Sequence, residues 1–341
     1  MAHKALVSGV SGYVGCHVAR ELLQQGFAVV GTVRSTEKGQ QVRDALLKAG
    51  ADVSKFEFAI VEDIAHPGCF DQVITSHKFD YVLHTASPFH YNVTDARKDL
   101  VVPAVRGTLE VIESVHKHGQ GTVKRIVVTS SVAAIRSSPT VNPDGLSELD
   151  WNTNAVEAFE AQGSATPARI AYPASKTLAE QAAWQFKKDH PDASFDLVII
   201  NPPFIFGPHI HPCAKPDSLN TSVKMVYDFY TGTTKEVNPL MAAGCVDVRD
   251  VAKAHVLAIA NGASGGNRFL VSSGPFTQEA LVEVLKKRFP GREYATGTTT
   301  GVPVPELNRK SKEVLGMGKY IDFETSIVET VNALVAAFGN A

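Results

Sequence analysis

The feature that most constrains this chain is a run of three glycines near its start. Gly9, Gly12 and Gly15 directly follow the short apolar segment 5–7, and a helical pattern continues to about residue 25. Glycines at such a junction let the backbone turn tightly and approach a pyrophosphate, and the helix N-terminus offers free N–H groups to it. The spacing is G-x-x-G-x-x-G, so the strand before it and the helix after it carry the interpretation. We expect a dinucleotide to contact this loop at Gly9, Ser11, Gly12, Tyr13, Val14 and Gly15.

Apolar runs alternate with helical patterns along the first two hundred or so residues. Strand-like runs lie at residues 27–33, 56–61, 81–83, 125–128 and 196–200, and helical patterns at 36–48 and 101–116 lie between them. Such alternation predicts an α/β fold with a doubly wound parallel sheet of the Rossmann type, covered by helices on both faces. Residues 137–169 are polar and break the pattern, so we expect a long functional connection there.

The chain changes character after residue 201. Residues 202–240 are rich in Pro, His and Thr, with one helical pattern at 222–230. The patterns beyond them indicate strands at 245–248 and 267–271 and helices at 249–261, 277–289 and 326–338. We predict a nucleotide-binding domain over residues 1–201 and a smaller, mixed C-terminal lobe over residues 202–341 that binds the substrate. Within that lobe, we expect segment 245–271 to return to the Rossmann core.

Composition and charge exclude several classes of function. The net charge of −2 gives no footprint for nucleic acid or an anionic membrane, and no apolar run approaches the eighteen or so residues that span a bilayer. The N-terminus lacks the apolar core of a signal peptide. The four cysteines have no paired spacing, and His209, His211 and Cys213 make a poor zinc set. We therefore expect a cytoplasmic protein with reduced thiols, no metal, no nucleic-acid partner and no membrane partner.

The end of the second strand indicates which dinucleotide is bound. An NAD site carries an acidic residue there for the ribose 2′-hydroxyl, whereas an arginine accommodates the 2′-phosphate of NADP. This chain has Arg34 at that point and Lys38 one turn later, which predicts NADP(H). Asp63, after the third strand, suits an acceptor for the adenine amino group, and a helix N-cap is the alternative.

A tyrosine and a lysine four residues apart supply candidate chemistry. On a helix Tyr172 and Lys176 lie one turn apart on one face, and Pro173 between them is tolerated in a first turn. A phenol with a pKa near 10 is a poor acid at neutral pH, but a neighbouring ammonium lowers that pKa toward the working range. Such a pair arises readily by chance, so the glycine loop is needed to give it meaning.

Taken together, these segments resemble the extended short-chain dehydrogenase/reductase family. The resemblance rests on the glycine-rich opening, Arg34, the Thr129-Ser130-Ser131 segment and Tyr172-x-x-x-Lys176 in that order, and it spans most of the chain. Within the family, segments 33–35, 84–89, 103–108 and 149–152 resemble fungal and yeast NADPH-dependent aldehyde and ketone reductases. Plant dihydroflavonol and cinnamoyl reductases are the neighbouring branch.

The resemblance implies a role for each of these side chains. Tyr172 would protonate the carbonyl oxygen, Lys176 would lower the phenol pKa and hold the nicotinamide ribose, and Ser131 (with Ser130 as the alternative) would position the substrate oxygen. It also implies further cofactor contacts at Ile64, Thr85, Ala86, Ser87, Thr129, Pro202 and Pro203, and a substrate pocket at Phe89, His90, Val132 and Phe204. Pro203 departs from the family pattern because it has no N–H to offer the nicotinamide carboxamide.

The sequence therefore predicts NADPH-dependent reduction of a small-molecule aldehyde or ketone to an alcohol. We expect the protein to be a monomer or homodimer. The alternatives are a hydroxysteroid-type dehydrogenase or a nucleotide-sugar epimerase of the same family, or a non-catalytic NADP(H)-binding regulator.

Overall fold

The structure, a computed structural model, describes residues 3–87, 93–137 and 145–339. That part of the chain contains ten strands: β1 (Lys4–Ser8), β2 (Ala28–Val33), β3 (Phe56–Ile60), β4 (Tyr81–His84), β5 (Arg125–Thr129), β6 (Asp196–Asn201), β7 (Phe204–Phe206), β8 (Ala242–Asp247), β9 (Asn267–Leu270) and β10 (Gly274–Thr277). The α-helices there are α1 (Tyr13–Gln24), α2 (Thr36–Lys48), α3 (Asp71–Ser76), α4 (Val102–His118), α5 (Thr153–Gln162), α6 (Ala168–Asp189), α7 (Thr221–Tyr230), α8 (Val248–Ala260), α9 (Gln278–Arg288), α10 (Arg309–Glu313) and α11 (Phe323–Phe338).

Seven of the strands form one parallel sheet. Their order is β3-β2-β1-β4-β5-β6-β9, so the first six follow the doubly wound order of a Rossmann fold. Each pairing between neighbours in this sheet is parallel. Leu6 and Val7 in the central strand β1 are both fully buried, in core clusters on opposite faces of the sheet. The predicted fold class is confirmed.

A second, smaller sheet lies after β6. Strand β8 pairs parallel with β7 and antiparallel with β10, which makes this sheet mixed. Phe206 and Phe276 meet edge to face, 5.0 Å apart between ring centres, in a core that also takes apolar residues from α7, α9 and α11. The predicted mixed C-terminal lobe is therefore present as a structural unit.

Segment 245–271 divides between the two sheets. Strand β9 pairs with β6 at the edge of the large sheet, and α8 packs against α1 on its face. Strand β8 belongs to the small sheet instead, because it pairs with β7 and β10. The division of the chain at residue 201 stays a prediction.

Two local predictions are wrong. Residues 137–169 were expected to be a connection, but their described part contains α5, which Asn152 caps by accepting a hydrogen bond from the Ala155 N–H. Pro173 was placed in a first turn, whereas α6 begins five residues earlier and holds Pro173 in its interior. Pro167 stands at the N-cap of α6 and offers no capping side chain, so no start signal for this helix is visible in the sequence.

Within the described ranges, no helix combines the length and the apolar character that a membrane crossing requires. Cys16, Cys69, Cys213 and Cys245 are all free thiols.

Candidate active site

The three glycines form a tight loop between β1 and α1. Gly9 has a φ of +66°, and a Cβ on it would lie 2.9 Å from the backbone of Ala86 at the end of β4. A Cβ on Gly15 would lie 2.5 Å from the Gly9 carbonyl oxygen and 2.7 Å from the Thr85 hydroxyl. Only glycine fits at these two positions without displacing the backbone. The loop is therefore closed tightly against the carboxyl end of β4.

Helix α1 opens toward the loop with its N–H groups uncapped. Gly12 occupies the N-cap position, no side chain caps the helix, and no acidic residue lies in its first turn. Uncapped N–H groups and the positive end of the helix dipole favour an anion at this point. Tyr13 contributes its backbone only, because its buried side chain turns away and donates a hydrogen bond to the Gly207 carbonyl oxygen at 2.8 Å. Val14 packs against the core cluster of α1 and α8, and Ser11 is half-buried in the loop.

Ser8 connects the glycine loop to the strand beside it. Its hydroxyl accepts hydrogen bonds from the N–H groups of Thr85 and Ala86, both at 3.1 Å, and contacts His84 Nδ1 at 2.9 Å. The Thr85 hydroxyl donates to the Ser8 carbonyl oxygen at 2.6 Å. Burial, together with the charge on Lys176, lowers the pKa of His84 to about 3, so the imidazole is neutral at pH 7.

The residues predicted for the adenosine half lie at the ends of β2 and β3. Arg34 directly follows β2 and is exposed, as is Lys38 in the first turn of α2. Asp63 is exposed and its carboxylate accepts a hydrogen bond from the Ala65 N–H at 2.9 Å, so it caps a turn rather than a helix. Ile64 is half-buried and packs so closely on Gly107 that a Cβ there would lie 2.7 Å from it.

Helix α6 presents Tyr172 and Lys176 on successive turns. The Lys176 Nζ lies 5.9 Å from the centre of the Tyr172 ring. The amine reaches a cavity of about 10 Å³, near the smallest volume that holds one water molecule. Burial there lowers the pKa of Lys176 to about 8, and the charge on Glu180 opposes that shift. The cavity is lined by His84, Ala86, Ser87, Thr108, Val128, Thr129, Ser130, Lys176, Ala179 and Glu180.

The two serines after β5 have different partners. Ser130 donates its hydroxyl hydrogen to Glu180 at 2.6 Å. Ser131 caps the single-turn helix Val132–Ala134, and its oxygen accepts a hydrogen bond from the Ala133 N–H at 3.1 Å. Because a hydroxyl carries one hydrogen, Ser130 is committed to Glu180, whereas Ser131 keeps its hydrogen for another acceptor. This arrangement favours Ser131 over Ser130 for a contact to a substrate oxygen.

The remaining predicted cofactor residues follow β5 and β6. The Thr129 hydroxyl lies 2.7 Å from His255 Nε2, and the Pro202 carbonyl oxygen accepts a hydrogen bond from the Val132 N–H at 3.0 Å. Pro203 is buried beside it. Since β1, β4, β5 and β6 are parallel neighbours, the residues at their carboxyl ends share one edge of the sheet.

The predicted substrate pocket is only partly described. Val132 is half-buried and packs toward Ile135 and Leu146, whereas Phe204 lies in β7, its ring 5.5 Å from that of Phe276. These two residues therefore belong to different apolar clusters. Phe89 and His90 lie outside the described residues.

The histidines at residues 209 and 211 pack against rings. His209 stacks on Phe338 at 5.7 Å between ring centres, and His211 lies 5.6 Å from Tyr13. In the described part of the chain, no group of three or more His, Cys, Asp or Glu side chains is placed to hold a metal ion.

Sequence reasoning missed three polar residues of this site. Glu180, Asn201 and Arg268 meet beneath the cavity in one hydrogen-bonded cluster. Glu180 could have been found, because it lies four residues after Lys176 on the same helix. Asn201 and Arg268 carry no local signal, since the order of the strands alone brings them to this helix.

This fold and site define a dinucleotide-binding protein of the Rossmann class. A glycine loop, an uncapped helix N-terminus and a tyrosine–lysine helix meet at the carboxyl edge of a doubly wound sheet. The chain belongs to the NAD dependent epimerase/dehydratase family, whose model matches residues 5–272. The predicted membership of the extended short-chain dehydrogenase/reductase family is confirmed.

Relatives with stated activities match nearly the whole chain. Ketoreductase azaE of Aspergillus niger is 35% identical and covers 98% of each chain. The NADPH-dependent methylglyoxal reductase GRE2 of Saccharomyces cerevisiae is 33% identical over 96% of this chain and 97% of its own. A crystal structure of yeast methylglyoxal/isovaleraldehyde reductase Gre2 complexed with NADPH superposes with a TM-score of 0.89, 31% identity and coverage of 99% of this chain and 100% of that one.

Proposed function

We propose that this protein is an NADPH-dependent carbonyl reductase that converts an aldehyde or ketone to an alcohol. The observation that carries the proposal is the placement of Tyr172 and Lys176 on successive turns of α6, at the sheet edge that holds the glycine loop. The relatives support it, because azaE is named a ketoreductase and GRE2 an NADPH-dependent methylglyoxal reductase, and the yeast Gre2 crystal structure is a complex with NADPH.

The residues present fit NADP(H). The glycine loop is closed so tightly that a Cβ at Gly9 or Gly15 would clash, and α1 begins without a cap or an acid that would compete with a phosphate. Arg34 and Lys38 are exposed cations at the end of β2, where a 2′-phosphate needs neutralising charge. Bound NADPH would supply a hydride to the substrate carbon.

Tyr172 acts as the general acid in this proposal. Its hydroxyl gives a proton to the carbonyl oxygen as negative charge develops there, which lowers the barrier to reduction. Lys176 supports the phenolate that is left, because its ammonium lies one helical turn away. Ser131 donates its free hydrogen to the same substrate oxygen and so orients the carbonyl.

Replacing Tyr172 by Phe tests this function. The variant keeps the ring but removes the proton, so we expect kcat for NADPH-dependent carbonyl reduction to fall at least about 100-fold. NADPH binding, followed by the fluorescence of the reduced nicotinamide, should change less than about threefold. Tyr81→Phe is the matched control because Tyr81 begins β4 at the opposite edge of the sheet, and its turnover should stay near wild type. Full activity of Tyr172→Phe would contradict the proposal.

Three alternatives are separated by the substrates that the protein turns over. A nucleotide-sugar epimerase would turn over UDP-sugars, and the absence of an acid at the end of β2 argues against the NAD preference of such enzymes. A non-catalytic NADP(H)-binding regulator would show no NADPH oxidation with any of a panel of aldehydes, aryl ketones and β-keto esters. A hydroxysteroid-type dehydrogenase would show turnover confined to steroids.

Location and assembly stay predictions. We expect the protein in the cytoplasm as a monomer or homodimer. Cell fractionation and light scattering after size-exclusion chromatography measure these two properties directly.

A further inference from the structure

A third residue of α6 points toward the site from one turn beyond Lys176. Glu180 is 1% exposed, and a buried carboxylate is costly unless charge and hydrogen bonds compensate it. One of its oxygens accepts from Arg268 Nε at 2.5 Å. The other accepts from the Ser130 hydroxyl at 2.6 Å and from Asn201 Nδ2 at 2.9 Å. The carboxylate is thus held from three directions.

These three partners belong to three neighbouring strands of the large sheet. Ser130 follows β5, Asn201 ends β6 and Arg268 lies in β9. The Asn201 amide also donates to the Ser131 carbonyl oxygen at 3.2 Å. One carboxylate therefore connects the helix that carries Tyr172 and Lys176 to the turn that carries Ser131.

Arg268 is itself fixed on its far side. Its guanidinium donates hydrogen bonds to the carbonyl oxygens of Glu148 and Asp150, both at 2.8 Å. It also stacks over the Trp151 ring at 3.7 Å. An arginine held in this way cannot follow a moving carboxylate, so it gives Glu180 a fixed position.

We propose that Glu180 is a positioning residue of the active centre: it fixes Ser131 relative to the Tyr172 helix and supplies negative charge that keeps the Lys176 amine protonated. This inference rests on the proposed reductase function. Sequence spacing alone makes Glu180 a helix neighbour of Lys176, whereas the buried ion pair and the bond to Ser130 give it a part in the site.

The charge on Glu180 acts on an amine that burial disfavours. Burial, partly offset by the charge on Glu180, lowers the pKa of Lys176 to about 8. Removing the carboxylate would lower that pKa further, so the amine would lose its proton at a lower pH. In the described part of the chain, this region is approached by Tyr172 and Glu180 on α6, neutral His84 on β4, neutral His255 on α8 behind Thr129, and Arg268 on β9.

The test is the pH dependence of reduction by Glu180→Gln. The amide keeps the shape and one acceptor but removes the charge. We expect the alkaline limb of kcat/KM, which follows loss of the Lys176 proton, to move about one pH unit toward lower pH, and kcat at pH 8 to fall about fivefold. The KM for NADPH should change less than about threefold. Ser130→Ala removes one hydrogen bond and no charge, so its kcat should fall a few-fold with the limb unmoved.

Two further variants keep the proposal falsifiable. The double variant Glu180→Gln/Arg268→Gln removes both charges and so leaves no unpaired buried ion. It should shift the alkaline limb in the same direction as Glu180→Gln does, even where that single variant folds poorly. Asp196→Asn breaks the ion pair with Arg125, which joins the amino ends of β5 and β6 at the sheet edge away from the site. This variant should be less stable, and the alkaline limb of its kcat/KM profile should not move. An alkaline limb of kcat/KM that stays unmoved in both Glu180 variants would overturn the inference. A wild-type protein with no NADPH-dependent carbonyl reduction would instead overturn the proposed function.

Discussion

At the scale of single residues, we expect the charge at the end of β2 to determine how well the protein distinguishes NADPH from NADH. Arg34 is exposed directly after that strand, and its guanidinium can bind a phosphate through two hydrogen bonds. NADH lacks that phosphate. We therefore expect Arg34→Gln to lower kcat/KM for NADPH at least about tenfold, or about 1.4 kcal/mol, while kcat/KM for NADH changes less than about twofold.

The control for Arg34→Gln is another exposed arginine. Arg309 forms a surface ion pair with Glu313 in α10, and Arg309→Gln should leave both cofactors unaffected. Steady-state kinetics with each cofactor measures the ratio. An equal loss with NADPH and NADH would show that Arg34 does not contact the 2′-phosphate.

At this scale, the sequence identified residues whose signal is local. Gly9, Gly15, Tyr172 and Lys176 stand at fixed spacings, so the turn and the helix place them without knowledge of the whole fold. The family resemblance already favoured Ser131 over Ser130, and the structure adds that the Ser130 hydroxyl is the one that Glu180 engages. Asn201 and Arg268, the partners of Glu180 on other strands, could not be found from one sequence. They are far from α6 along the chain, and only the order of the strands in the sheet brings them to it.

At the scale of elements, the junction of β1 and α1 tolerates no added side chain. A Cβ at Gly15 would meet the Gly9 carbonyl oxygen at 2.5 Å, and that oxygen belongs to backbone that the loop cannot easily shift. We expect Gly15→Ala to weaken NADPH binding at least about tenfold by distorting the loop. Fluorescence titration of NADPH measures this directly.

Gly262→Ala is the matched control for the glycine loop. Gly262 begins a single-turn helix after α8, a Cβ there meets no atom within 4 Å, and its φ lies outside the left-handed region. NADPH affinity and stability of that variant should stay near wild type. Unchanged affinity in Gly15→Ala would mean that the loop has more room than the structure gives it.

The elements that the sequence missed are short or weakly marked. Strand β7 has three residues and directly follows two prolines, and β10 has four and begins with Gly274, so neither shows an alternating pattern long enough to read. Helix α2 was predicted with the bounds it has, because Ser35 and Thr36 mark its start and its charged face is regular. The long strands of the large sheet were visible because they are buried on both faces and read as continuous apolar runs.

At the scale of the whole molecule, the free energy of unfolding depends on four histidines whose side chains are buried. Burial lowers the pKa of His17 and His255 to about 4 and that of His84 and His211 to about 3. These side chains lie in or against different elements: α1, α8, β4 and the loop after β7. Protonation of each histidine therefore acts against the packing of a different part of the interior.

The sign of the pH dependence follows from linkage. In the unfolded chain each of these histidines has a pKa near 6.5, so below that pH the unfolded state binds more protons than the folded state. The free energy of unfolding is therefore at its full value above about pH 6.5 and falls as the pH drops toward 4, by up to about 1.4 kcal/mol per pH unit for each group.

We expect Tm to fall by several degrees between pH 6.5 and 5.5. His211→Phe, which keeps the contact with Tyr13 and removes one of the four groups, should reduce that slope by about a quarter. Calorimetry at fixed ionic strength measures both slopes, and an equal Tm at pH 7 and pH 5.5 in the wild type would contradict neutral burial of these side chains.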